Sequence, residues 1–216
     1  MRFTEQLWQQ ITPIYEAILA HGFVRELTTG SLPAEKFQYY IQQDALYLTD
    51  FSRALAQLAS KSHQPDDILA LTEFAANAIR VERILHESYF AGFGISAGAQ
   101  KMPACFAYTN FLLTATAHES PAVGAAAVLP CFWIYREVGK FIYAKAASPN
   151  PYQSWIDTYA GDAFDQVVSQ MLNLTDQLAD GASTKEKEKM AEAFRQSSRL
   201  EWYFWNDAYI LHRWQV

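Results

Sequence analysis

Apolar side chains recur three and four residues apart along nearly the whole chain, and no convincing period-two run bounded by turn residues interrupts them. That spacing gathers one face of a helix against a core, so the expected fold is all-α. At 216 residues the chain is long enough for a sizeable core, and one helical domain spanning 1–216 is expected. The most apolar region tests this reading, because between Lys101 and Arg136 the only charged or titratable side chains apart from Cys and Tyr are His118 and Glu119. With Ser120 and Pro121 they split the region into segments of about 15 residues, below the ~20 needed to span a bilayer. A helical hairpin buried in the core is expected there, and no membrane span.

Boundary signals divide the chain further. Thr4 reads as the cap of a first helix to about Ala20, kinked or divided at Pro13. Ser31, followed by Pro33, starts a second helix to about Ser62, and "HQPDD" starts a third that ends in "AGFGISAG". Further helices are expected after Pro103, after Ser120-Pro121, from Asn150-Pro151 and from Asp162. Ser183-x-x-Glu186 forms the start of a capping box for a last helix reaching nearly to the C-terminus.

A net charge of −6 and the absence of any dense Lys/Arg run argue against nucleic acid as a partner. The aromatic content, 12 Tyr, 14 Phe and 6 Trp, exceeds what a minimal core requires, and some of these rings are expected to line a cavity. Cys105 and Cys131 form no CxxC pair, and the chain opens on the charged, amphipathic "MRFTEQLWQQI". A reduced cytoplasm is the expected compartment.

Against this background a few polar groups sit on the wrong face. On the second helix the stripe Phe37, Ile41, Asp44, Leu48, Phe51, Leu55 carries a carboxylate in its middle, with Tyr47 on the same side. Removing an isolated carboxylate from water is costly, so Asp44 needs either a buried partner or a task. Phe194, Ser198, Glu201, Trp205, Ala208 repeat the anomaly on the last helix. In "LPCFWIYREVG" the stripe Val128, Cys131, Tyr135, Val138, Ile142 brings a thiol and a phenol onto neighbouring turns. Each has an ordinary structural explanation: Cys131 as a small core hydrophobe, Asp44 and Glu201 as members of buried pairs, Tyr108 and Tyr159 as core rings.

Other motifs carry less. "GFGISAG" has no preceding strand and is no dinucleotide fingerprint. Glu82 and His86, four apart, have ligand spacing for a metal in a helical bundle, though a solvated contact is the commoner use. His21, before Gly22, is expected near a helix C-terminus as an imidazolium.

Taken together, "HGFVRELTTGSLPAEKFQYYIQQDALYL", "LPCFWIYREVG", "NPYQSWIDTYAGDAF" and "LEWYFWNDAY" resemble the TenA family, thiaminase II or aminopyrimidine aminohydrolase, from about residue 15 to residue 209. The resemblance implies a haem-oxygenase-like helical bundle without haem, cofactor or metal, a homotetramer acting in thiamin salvage. It implies Cys131 as nucleophile, Glu201 as acid, and Asp44 at the ring's amino edge, where it also assists the thiol. Tyr47, Tyr108, Tyr135, Tyr159 and Phe51 would surround the ring. Two departures from the family pattern are visible: Gly22 where proline is frequent, and Ala45 where a larger residue is common.

The implied substrates are aminopyrimidines bearing an aminomethyl group, or the thiazolium of thiamin. A soft nucleophile adding to the ring expels the group at the exocyclic carbon, and a thiol suits that task. Two rival readings stay open: a metal-dependent oxidase on the same scaffold, using Glu82 and His86, and a non-catalytic pyrimidine-binding protein.

Overall fold

The computed structural model describes residues 1–85 and 100–216, with the side chains of 81–85 excepted. Among the described residues nine helices and no strand are found. They are α1 (Phe3–Leu19), α2 (Gly22–Thr29), α3 (Ala34–Lys61), α4 (Pro65–Leu85), α5 (Pro103–His118), α6 (Pro121–Tyr143), α7 (Gln153–Ala160), α8 (Asp162–Asp180) and α9 (Thr184–Tyr209).

The centre of the bundle is α6, packed by α9, α8, α7, α5 and α3. Its sequence explains why: Gly124 and Ala125 to Ala127 keep one turn thin, and a Cβ at Gly124 would already lie 3.2 Å from Leu58 Cδ1. From Ala122 to Tyr135 every residue of α6 is buried except Cys131. Close packing leaves few voids in such an interior, so one partly exposed residue in that run marks an opening. The hairpin expected between Lys101 and Arg136 is present as α5 and α6, and among the described residues no helix is long and apolar enough to cross a membrane.

Several local expectations change. Pro13 lies inside α1 without dividing it, and Thr4 does not cap it: its backbone N–H and hydroxyl both donate to Asp176, at 2.8 and 3.0 Å. The segment 22–29, expected to be part of a connection, is a helix of its own, closed by Gly30 at φ 72°. His21 begins that helix, with Nδ1 accepting from Phe23 N at 3.2 Å. Burial lowers its pKa, against smaller upward contributions from Asn206 and Glu26. His21 does follow a helix C-terminus, directly after the C-cap Ala20 of α1, but it serves as the neutral N-cap of α2 and not as an imidazolium. Gly22 follows from packing, since a Cβ there would lie 2.7 Å from Tyr209 Cζ. Pro33 takes the cap position of α3, while Ser31 meets Thr29, hydroxyl to hydroxyl, at 2.8 Å.

Ser120 and Ser183 act as expected, accepting from Val123 N at 3.4 Å and Glu186 N at 3.2 Å. The side chain of Glu82 and all of His86 and "GFGISAG" lie outside the described residues.

Candidate active site

Helices α3, α6 and α9 bring their anomalous polar groups to one place. Asp44 and Glu201 are 3% and 1% exposed, which excludes a solvated role for either. Beside them is a cavity of about 380 Å³, a volume suited to a small heterocycle. Asp44 and Phe51 of α3, Cys131 and Tyr135 of α6, and Tyr159 of α7 line it. Tyr47, Tyr108 and Glu201 stand outside the cavity wall, packed behind it. The opening is edged by exposed groups, Asn77 and Arg80 of α4 and Thr158 of α7.

The groups behind the wall form a connected set. Tyr108 donates to Glu201 Oε1 at 2.8 Å. The ring of Tyr47 lies 5.0 Å from that of Tyr108 and stacks on Phe51 at 5.5 Å. The Tyr47 hydroxyl interacts with the Cys131 thiol without closing to hydrogen-bond geometry. Neither Tyr47 Oη nor Asp44 Oδ2 has a hydrogen-bond partner among the described residues. Buried polar atoms are nearly always satisfied, so the unpartnered oxygen of Asp44 on the cavity wall fits a ligand with a polar edge. Among the described residues no Arg or Lys pairs with Asp44 or Glu201.

Burial sets the protonation of the site. It pushes Asp44 up to about 7. Glu201 is pushed up to about 8, burial outweighing the Tyr108 hydrogen bond that lowers it, with the Asp44 charge raising it further. The Cys131 thiol is held well above its usual range by burial and then by the charge of Glu201, while Tyr47 opposes the rise. At neutral pH Glu201 and Cys131 favour the protonated form while Asp44 is near its midpoint, a state in which an acid can donate to a bound base.

Gly139, one turn beyond Tyr135, fixes the last wall. A Cβ there would lie 2.8 Å from the backbone of Tyr159, so glycine lets α7 approach α6 and sets the Tyr159 ring 5.0 Å from that of Tyr135. Ala45 is not on the cavity wall, so the smaller residue beside Asp44 leaves the cavity's outline to others. The sequence reading passed over Phe132, which lines the cavity, and Tyr40, whose ring stacks on Trp205. Tyr40 lies four residues before Asp44, the spacing that would have indicated it.

The family model of the TENA/THI-4/PQQC family matches residues 8–210. The chain belongs to that family. An aminopyrimidine aminohydrolase of Halalkalibacterium halodurans is 36% identical to this family member, covering 99% of this chain and 98% of the relative. One of Bacillus subtilis is 32% identical, covering 99% and 92%. Among solved structures, a TenA family transcription regulator from Silicibacter sp. TM1040 superposes with a TM-score of 0.89 at 29% identity, covering 96% of each chain. The TENA/THI-4/PQQC assignment thus agrees with the all-α bundle.

Proposed function

We propose that the protein is a hydrolase of thiamin salvage, an aminopyrimidine aminohydrolase or thiaminase II. It would convert 4-amino-5-aminomethyl-2-methylpyrimidine, and thiamin as a second substrate, into the 5-hydroxymethyl pyrimidine. The observation that carries the reading is Cys131, the one partly exposed residue in a buried run of α6, opening into the cavity beside Asp44. Relatives of nearly equal length bear the name aminopyrimidine aminohydrolase, which supports it.

In this mechanism Asp44 accepts from the 4-amino group through the carboxylate oxygen that has no partner among the described residues. The Cys131 sulfur bonds to a ring carbon as its proton passes to a carboxylate, and Glu201 supplies a proton to a ring nitrogen. The electron pair released into the ring expels ammonia or the thiazole from the exocyclic carbon. Water then adds to that carbon, the carbon–sulfur bond breaks, and the thiol returns. Because the thiol is held more basic than Asp44, sulfur loses its proton only as it bonds to the ring. Tyr135, Tyr159 and Phe51 cover the ring faces, and Tyr47 and Tyr108 relay protons behind them.

The reading extends to a homotetramer in the cytoplasm. Exposed Ile68, Leu69, Tyr203 and Ile210 offer apolar surface for assembly, and both cysteines are free. Light scattering tests the assembly. Incubation with the aminomethyl pyrimidine and with thiamin separately, followed by chromatography for the hydroxymethyl product, tests the activity. No product from either at stoichiometric enzyme would overturn it.

A further inference from the structure

Tyr135 lines the cavity, and its hydroxyl is held by a residue that does not. Tyr40, wholly buried on α3, donates its proton to Tyr135 Oη at 3.2 Å. Trp205 stacks on both rings, at 5.2 Å and 8° to Tyr40 and at 5.3 Å and 29° to Tyr135. These contacts leave the two phenols little rotational freedom. Trp155 meets the Tyr40 oxygen with its indole N–H, short of full hydrogen-bond geometry. An indole N–H can only donate, so it opposes a Tyr40 proton turned toward it and favours one turned to Tyr135.

The Tyr135 oxygen then already holds a donor, and its own proton is free for another acceptor. Asp44 Oδ2 does not take it, having no hydrogen-bond partner among the described residues. We propose that Tyr40 is a positioning residue that fixes Tyr135 as a hydrogen-bond donor into the cavity, aimed at an acceptor atom of a bound aminopyrimidine. The inference rests on the substrate class proposed above. Without Tyr40, the Tyr135 hydroxyl gains a free rotor and can turn its proton onto Asp44, consuming the acceptor needed by the 4-amino group.

A double-mutant cycle tests this. Tyr40→Phe should lower kcat/KM about tenfold, the scale of one hydrogen bond, with little change in Tm. Tyr135→Phe should lower it at least as far, and adding Tyr40→Phe to that variant should change nothing further. Additive losses, or an unchanged rate in Tyr40→Phe, would overturn the proposal. A second readout needs no turnover: with ¹³Cζ-labelled tyrosine, the Tyr135 signal, identified by its loss in Tyr135→Phe, should shift in Tyr40→Phe. A signal that stays put overturns the hydrogen bond. A shift in a protein that hydrolyses neither pyrimidine keeps the bond but overturns the role, and the proposed activity falls separately. Should Tyr40→Phe not fold, Trp155→Phe removes the opposing donor and should lower kcat/KM in the same direction, an unchanged rate there again overturning the arrangement.

Discussion

Tyr108 donates its hydroxyl proton to Glu201 Oε1 across 2.8 Å, from α5 to α9. With Oε1 occupied as an acceptor and burial raising Glu201 to about 8, the carboxyl's own proton is left to Oε2. Such an arrangement fits the general acid proposed for Glu201.

Glu201→Gln should therefore keep the Tyr108 contact through its amide oxygen and retain both fold and pyrimidine affinity. Turnover should fall by ~10²-fold or more, the usual scale for losing an acid–base group. Steady-state kinetics alongside calorimetric binding separates the two effects. Near wild-type turnover would remove Glu201 from the mechanism.

Stability should decline as pH rises through the neutral range. Folded Asp44 and Glu201 keep their protons to about 7 and about 8, while in the unfolded chain they release them near their ordinary values of 3.8 and 4.5. Between those limits the folded state binds more protons, so the stabilisation is whole below the ordinary values and is lost as pH climbs to the folded ones. Each group contributes a slope of about 1.4 kcal/mol per pH unit. Asp50, held low by Lys101 and Arg53 despite its burial, acts the opposite way and only at acid pH. Urea unfolding from pH 5 to 8.5 should show the decline, and Asp44→Asn should flatten it; an equal slope in that variant would contradict the assignment.

Much of this site was visible in the sequence because a carboxylate on an apolar stripe breaks a strong rule. Asp44 and Glu201 stood out for that reason, and Cys131 with Tyr135 through their spacing on a single helix. Tyr40, Trp155 and Trp205 did not, since an aromatic ring on a helix face packs a core or serves a site with the same periodicity. Only the pairing of two hydroxyls across helices distinguishes them. The helix α2 was missed because it is two turns long and opens on His21-Gly22, where a ring nitrogen does the work normally signalled by Ser, Thr, Asp or Asn. Tyr47 and Tyr108, ring contacts by the resemblance, are buried against each other, with Tyr47 also stacked on the lining residue Phe51.

Gly139→Ala should damage the site without touching a reacting group. The added methyl would meet the Tyr159 backbone at 2.8 Å, and backbone cannot swing aside as a flexible side chain does. Overpacking of this kind costs about 1–3 kcal/mol. Relief by moving α7 away from α6 would carry Tyr159 off Tyr135 and open the ring-binding wall. The expected result is a lower Tm together with a raised KM; a variant with normal KM would show that Tyr159 does not hold the ring.

Cys131→Ser distinguishes a nucleophile from a core hydrophobe. Oxygen is only slightly smaller than sulfur, and Cys131 already opens onto the cavity, so the packing around Phe132 and Tyr135 should survive. Binding of the pyrimidine, which depends on Asp44 and the rings, should survive with it. Reactivity should not: a thiol is intrinsically a strong nucleophile, whereas a serine hydroxyl needs a strong neighbouring base, and Asp44 at about 7 and Glu201 at about 8 are weak ones for an alcohol. Even the thiol is held well above its usual range, so its addition depends on proton transfer during attack and on the softness of sulfur toward the ring. Product chromatography with calorimetry on Cys131→Ser should show bound pyrimidine and no hydroxymethyl product. Hydrolysis at a substantial fraction of the wild-type rate would return Cys131 to the core.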